Sequence, residues 1–162
     1  ADKKELFNEL PAGLRSTIAK SMYGGVINKI KFFNDKDSNF IGHIVPLLTP
    51  LSGNKYEIIF RKGNHPSAMF FITKGRVSFY LEKKKITFKE MIAGGYFGDI
   101  DIIVRRSRNY TVISLEDSDF LTLSKQIFEE VIINDYPEVY EEMQQVAYER
   151  EKRIKTAKIM AL

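Results

Sequence analysis

Near Leu51 the repeat of apolar residues changes from every fourth position to every second. From there to Ser124 the chain reads as short stretches rich in β-branched and aromatic residues, "KYEIIFRKG", "AMFFITKG", "RVSFYLEKKK", "ITFKEM", "YTVISLE" and "DFLTLS", punctuated by Gly63, Gly75, Gly94 and Gly95. Each stretch is too short for a helix and alternates as a strand with one buried face does. So many short strands joined by tight turns build an antiparallel roll or sandwich. Lys83, Lys84 and Lys85 are expected at a solvated hairpin turn.

Helices are expected on both sides of this β-rich middle. Leu14, Ile18 and Met22 recur every fourth residue and set an apolar stripe on a first helix that Gly24 and Gly25 stop. A second short helix is expected over Val26 to Phe33. A third, over residues 35–49, starts among the capping residues Asp35 to Ser38 and buries Phe40, Ile41, Ile44, Val45 and Leu48, with Pro46 distorting it. After the roll, Ser124 is an N-cap and a further helix follows Pro137. Val139, Met143, Val146, Ile154 and Ala157 form its apolar stripe, with Glu149, Glu151, Lys152 and Lys155 outside. Arg150 interrupts that stripe and faces what the helix covers, either snorkelling or pairing with a neighbouring Glu, or serving a site.

At 162 residues the chain has the length of one domain, or one domain and an appendage. It begins at Ala1, as a piece cut from a longer protein would. No run approaches the roughly 18 apolar residues of a membrane span. With no cysteine and only His43 and His65, one in a predicted helix and one in a loop, disulfides and thiolate chemistry are excluded, and a metal site or metal-dependent dioxygenase is disfavoured. No nucleophile, base and acid set is legible, so no enzyme is expected. A net charge of +4 is mild for a nucleic-acid binder, and no nucleic-acid partner is expected.

The stretch "YFGDIDIIVRRSRNYTV" fits neither a plain strand nor a plain helix. A Gly98-Asp99 turn leads into a short apolar run, then Arg105, Arg106 and Arg108, then a strand. A sugar phosphate diester needs a forked arginine and backbone N–H groups for its charge, and a carboxylate for its hydroxyl. Gly98, Asp99 and Arg108 supply these, and Arg108 is preferred over Arg105 and Arg106 because it abuts the next strand. A solvated loop is the plainer reading of the same residues.

Phe97-Gly98-Asp99 and Arg108-Asn109-Tyr110-Thr111-Val112 resemble the phosphate-binding cassette of cyclic nucleotide-binding domains, with its spacing from acid to arginine. "FRKGNHPSAMFFITKGRVSFY" is similar to that family's glycine-punctuated strands. "LPAGLRSTIAKSMYGGVINKIKFFNDKDSNFIGHIVPLL" resembles the end of the C-linker and the entry helices of hyperpolarisation-activated, cyclic nucleotide-gated and related voltage-gated potassium channels, and "VAYEREKRIKTAK" the lid helix of the hyperpolarisation-activated group. Kinase regulatory subunits and bacterial transcription regulators share the cassette, but the Leu-Pro-x-x-Leu-Arg opening favours the channels.

The resemblance implies an α+β fold: an antiparallel β-roll (jelly-roll-like) over residues 51–123, with N-terminal helices and a C-terminal lid within helices 124–160. Residues 1–33 would end the C-linker and 34–162 form the cyclic nucleotide-binding domain. It implies cAMP or cGMP as ligand, no cofactor, and a place at the cytoplasmic face of a membrane as a soluble domain of an integral membrane protein, beside other subunits of a tetrameric channel. Arg108 would hold the phosphate, Asp99 the ribose 2′-hydroxyl, and the N–H groups of Gly98, Ile100 and Asn109 the rest of the cradle. Arg150, Arg153 and Ile154 would close over the purine.

Four positions bear on this. Asp99 replaces the usual Glu and is one methylene shorter. Asn109 stands for Thr or Ala. Tyr110 stands for a small alanine, and its phenol can block the pocket, stack beside a ligand or turn outward. Asp101 adds a negative charge that weakens anion binding if it faces inward. The alternative is a nucleotide-independent coupling or assembly module with its pocket filled from within.

Overall fold

The computed structural model describes residues 2–162. The chain divides into two compact units between Leu48 and Thr49.

In the first unit, α1 (Lys3–Asn8) is capped by Asp2, whose carboxylate accepts from the Glu5 amide at 2.8 Å. Helix α2 (Ala12–Ser21) ends at a turn in which Tyr23, Gly24 and Gly25 all have positive φ. Helix α3 (Ser38–Ile44) is capped by Asp37, which accepts from the Phe40 amide at 2.9 Å. The expected stripe on α2 is corrected: Leu14 and Ile18 are 48% and 37% exposed, while Ser16 and Ala19 are buried. The reason is close packing of small residues. A Cβ added at Gly42 of α3 would lie 2.9 Å from the Arg15 Cβ and 3.2 Å from the Ser16 amide nitrogen, so the two helices meet nearly backbone to backbone.

The helix expected over Val26 to Phe33 is 3₁₀ instead, in two pieces, Met22–Lys29 and Lys31–Phe33. That expected over 35–49 is shorter. Past Ile44 it tightens into a 3₁₀ turn, Val45–Leu47, containing Pro46, which has no N–H to continue an α-helix. Phe40, Ile41, Ile44, Val45 and Leu48 are buried as expected, with Phe32 and Phe33.

The second unit holds two four-stranded antiparallel sheets. Strands β1 (Thr49–Gly53), β8 (Ser118–Ser124), β3 (Ala68–Lys74) and β6 (Tyr96–Phe97) form one, in that order. Strands β2 (Ile58–Phe60), β7 (Thr111–Ser114), β4 (Arg76–Leu81) and β5 (Ile86–Ile92) form the other. The roll closes around Phe60, Phe70, Ile72, Val77, Phe79, Phe97, Val112 and Phe120. Phe70 and Phe97 stack at 5.0 Å.

Helix α4 (Asp99–Val104) interrupts the roll between β6 and β7. Ser124 caps α5 (Lys125–Ile127) by accepting from the Ile127 amide at 3.0 Å, and π-type turns follow over Phe128–Ile133. The last helix, α6 (Pro137–Ala161), covers one end of the core. Its buried residues are Val139, Met143, Ala147 and Ile154. Ala147 thus takes the place expected for Val146, which is 36% exposed, because a small residue lets the helix lie close to the roll.

Candidate functional site

The site lies where α4, the loop after it and α6 meet the roll. Gly98 initiates α4 with φ +81°, the left-handed region where a Cβ is penalised. A Cβ there would also stand 3.2 Å from Arg108 Nη1 and 3.3 Å from the Phe70 ring. Glycine therefore lets the backbone approach the arginine directly.

Arg108 points inward and is 3% exposed. Its Nη1 donates to the Gly98 carbonyl at 2.7 Å and to Asp101 Oδ2 at 3.2 Å, and its Nη2 donates to the Ala68 carbonyl. The guanidinium lies 4.1 Å from the Phe60 ring centroid. Burial lowers its pKa, opposed chiefly by the Asp101 charge, yet a guanidinium remains protonated in proteins.

Asp99, buried at the start of α4, accepts from Arg150 Nη1 at 2.6 Å. Arg150 Nη2 donates to the Tyr96 carbonyl, and the guanidinium lies 4.1 Å from the Tyr96 ring centroid. Arg150 thus pairs with an acid 51 positions away instead of a neighbouring Glu. Burial opposes its charge, but Asp99 and Tyr96 hold the Arg150 pKa above its ordinary value.

Asp101 faces inward, 2% exposed. It accepts from Arg108 and, through Oδ1, from Arg106 Nε at 2.8 Å. Arg106 in turn makes a two-pronged contact with Glu151 of α6, at 2.7 and 2.9 Å. That contact chiefly raises the Arg106 pKa, against burial. The same hydrogen bonds hold the Glu151 carboxyl below its ordinary value.

Tyr110 turns inward and not outward. It is 5% exposed, stacks on Phe79 at 4.8 Å, and meets Phe88 edge-on at 5.5 Å. Burial, followed by the Asp101 and Asp99 charges, raises its phenol pKa. Lys158 of α6 sits 5.4 Å from the same ring and donates to the Asn109 carbonyl at 3.4 Å.

Gly98, Asp99, Ile100, Arg108, Tyr110, Arg150 and Ile154 therefore come together between the roll and α6, Ile100 and Ile154 as core residues at 5% and 2% exposure. Asn109 is half-buried at the edge, and Arg153 is exposed and outside the cluster. Sequence reasoning missed the roles of Arg106, Glu151 and Lys158. Glu151 was expected on the outer face, but it reaches Arg106, 45 positions earlier, so no local spacing signals the pair.

A family model described as "Cyclic nucleotide-binding domain" matches residues 52–135, more than half of the chain. The chain is 27% identical over 143 residues to the cyclic nucleotide-gated channel alpha-2 of Homo sapiens, covering 85% of this chain and 21% of that protein. It is 28% identical over 159 residues to a cyclic nucleotide-gated cation channel of Ictalurus punctatus, covering 94% and 23%. The chain thus spans between a fifth and a quarter of the length of these relatives. Among solved structures it resembles cAMP-bound PfPKA-R, with TM-score 0.72, 18% identity and coverage of 95% of this chain and 51% of that one. The regulatory domain of Toxoplasma gondii PKA with cAMP gives TM-score 0.68, 20% identity and coverage of 82% and 51%. These two likenesses concern the fold: two antiparallel sheets with flanking helices and a C-terminal helix over the roll. Together with the match across the roll and cassette, the finding is plain: this chain belongs to the cyclic nucleotide-binding domain family.

Proposed function

We propose that the chain is a cyclic nucleotide-sensing regulatory domain of a cation channel, potassium-selective or weakly selective, that binds cAMP or cGMP between the roll and α6. Residues 1–33 end the linker from the pore and residues 34–162 are the sensing domain, at the cytoplasmic face of the membrane. No described helix is itself long and apolar enough to cross a membrane. Arg108 receives the cyclic phosphate with the N–H groups of Gly98, Ile100 and Asn109, Asp99 receives the ribose hydroxyl, and Arg150, Arg153 and Ile154 act from α6. Nucleotide shifts the population of α6 positions only by as much as it binds one of them better, and the N-terminal helices carry that shift to the pore. Those helices also meet other subunits of a tetramer, a role supported by Leu6, Leu14 and Ile18 at 54%, 48% and 37% exposure. The similarity to cyclic nucleotide-gated channels over most of this chain supports the channel context.

The observation that carries this reading is the pairing of the cassette acid Asp99 with Arg150 of α6, which ties the cassette to the lid. The test is titration of the chain with cAMP and cGMP beside Arg108→Ala. Saturable binding that weakens by about tenfold or more in the variant is expected, since a charge-assisted contact contributes about 1.5–3 kcal/mol; unchanged affinity would sink the assignment. A second reading, a nucleotide-independent coupling module, is favoured by one observation, the Tyr110 ring buried against Phe79. Indifference of the wild-type chain to millimolar nucleotide would select it.

A further inference from the structure

Each of the three arginines at the site is paired with a carboxylate. Arg108 and Arg106 share the Asp101 carboxylate, Arg106 also holds Glu151, and Arg150 holds Asp99. These are three guanidinium cations and three carboxylates, with Arg108, Asp99 and Asp101 all buried. An additional phosphate anion placed against Arg108 would meet a cation already neutralised, and the Asp101 charge it displaced would stay buried beside it. Tyr110 adds a steric counterpart. Its ring lies against Phe79 and Phe88 of the roll and under Lys158 of α6, so it fills space between the roll and the helix above.

Resting on the reading of this site as a nucleotide seat, we infer that the site is liganded by its own side chains: Asp101 serves as the built-in anion of Arg108, Tyr110 occupies the space under the lid, and α6 is latched by Arg150–Asp99 and Glu151–Arg106, so the lid rests closed without nucleotide. Cyclic nucleotide then enters only in competition with Asp101 and Tyr110. The two latches join one short stretch of α6 to the cassette, one closing on Asp99 at the start of α4 and the other on Arg106 in the loop after it. Asp101 is therefore both the competitor of the ligand and a support of the latch, because the Arg106 that it orients is the one that grips Glu151.

The chain has no cysteine, so a spin-label pair can be placed cleanly by Lys84→Cys in the β4–β5 turn and Ile159→Cys on the exposed end of α6. Pulsed distance measurements and cAMP titrations are made on this background and on the same background with Tyr110→Ala or with the isosteric Asp101→Asn. A narrow distance in the unliganded parent, with cAMP affinity raised about tenfold in either variant, supports the inference. A broad distribution in the unliganded parent that narrows on adding cAMP overturns it while leaving the sensor reading intact. Parent affinity equal to that of both variants also overturns it. A narrow parent distance with no cAMP or cGMP binding by any of the three proteins supports the closed latch and removes the sensor reading instead.

Discussion

Gly98 has two independent reasons to be glycine, a φ of +81° and an arginine nitrogen 3.2 Å from where its Cβ would stand. Gly98→Ala is expected to lower stability by about 1–2 kcal/mol from the left-handed backbone alone, measured by urea denaturation; a loss under about 0.5 kcal/mol would contradict the geometry. Ile154, on the buried face of α6, is 2% exposed, and Ile154→Ala is expected to cost about 2–5 kcal/mol in the same measurement. An effect within the scatter of surface substitutions, about 0.5 kcal/mol, would mean that α6 does not pack there. At this scale much of the site was legible. The gathering of Gly98, Asp99 and Arg108 was legible from their resemblance to a family cassette, and that of Arg150 because it broke an apolar stripe. Whether Tyr110 turned in or out was not legible, because a side-chain direction at a loop-to-strand junction is decided by Phe79 and Phe88, residues far away in the chain.

At the scale of elements, α6 depends on charges that its own sequence does not explain. Glu151 is held below its ordinary carboxyl value by Arg106, so its contribution is present in full above the usual range, near about 4.3, and is lost as pH falls through the lower folded value. Lys155 and Lys158 face the same carboxylate, and Asp101 shares Arg106 with it, so the single group is isolated by comparison with Glu151→Gln. Amide exchange in α6 should be faster in Glu151→Gln than in the parent at neutral pH, and the gap should close as pH falls below the ordinary carboxyl range. A gap independent of pH would show that the Arg106 contact does not hold the helix. The elements themselves were legible where periodicity was undisturbed: β2, β3, β4 and β7 lie within the stretches with period two, and β5 and β8 overrun theirs by one residue. Strand β1 escaped that pattern because it is an edge strand, exposed along most of its length and containing Pro50. Strand β6 has two residues, too few for any period. On α2 the stripe pointed the wrong way because small residues, Ser16, Ala19 and Gly42, carry the packing.

Over the whole molecule, the roll supplies a rigid aromatic floor, the cassette supplies the charged groups, and α6 joins them. The family assignment rests on the roll and cassette, where a match spans residues 52–135. The proposed sensing role adds that the floor, cassette and helix would act together on one ligand. Retaining Arg108 favours binding, while the Asp101 pairing and the buried Tyr110 oppose it, so affinity is expected to be weaker than in a relative with an unobstructed site. The most direct test of the central claim is a calorimetric titration of the chain with cAMP and then cGMP at moderate salt, run beside Arg108→Ala. Saturable heat at one nucleotide per chain, lost or weakened about tenfold in the variant, is the predicted result; no heat and no melting shift at millimolar nucleotide, or equal binding by both proteins, would contradict it.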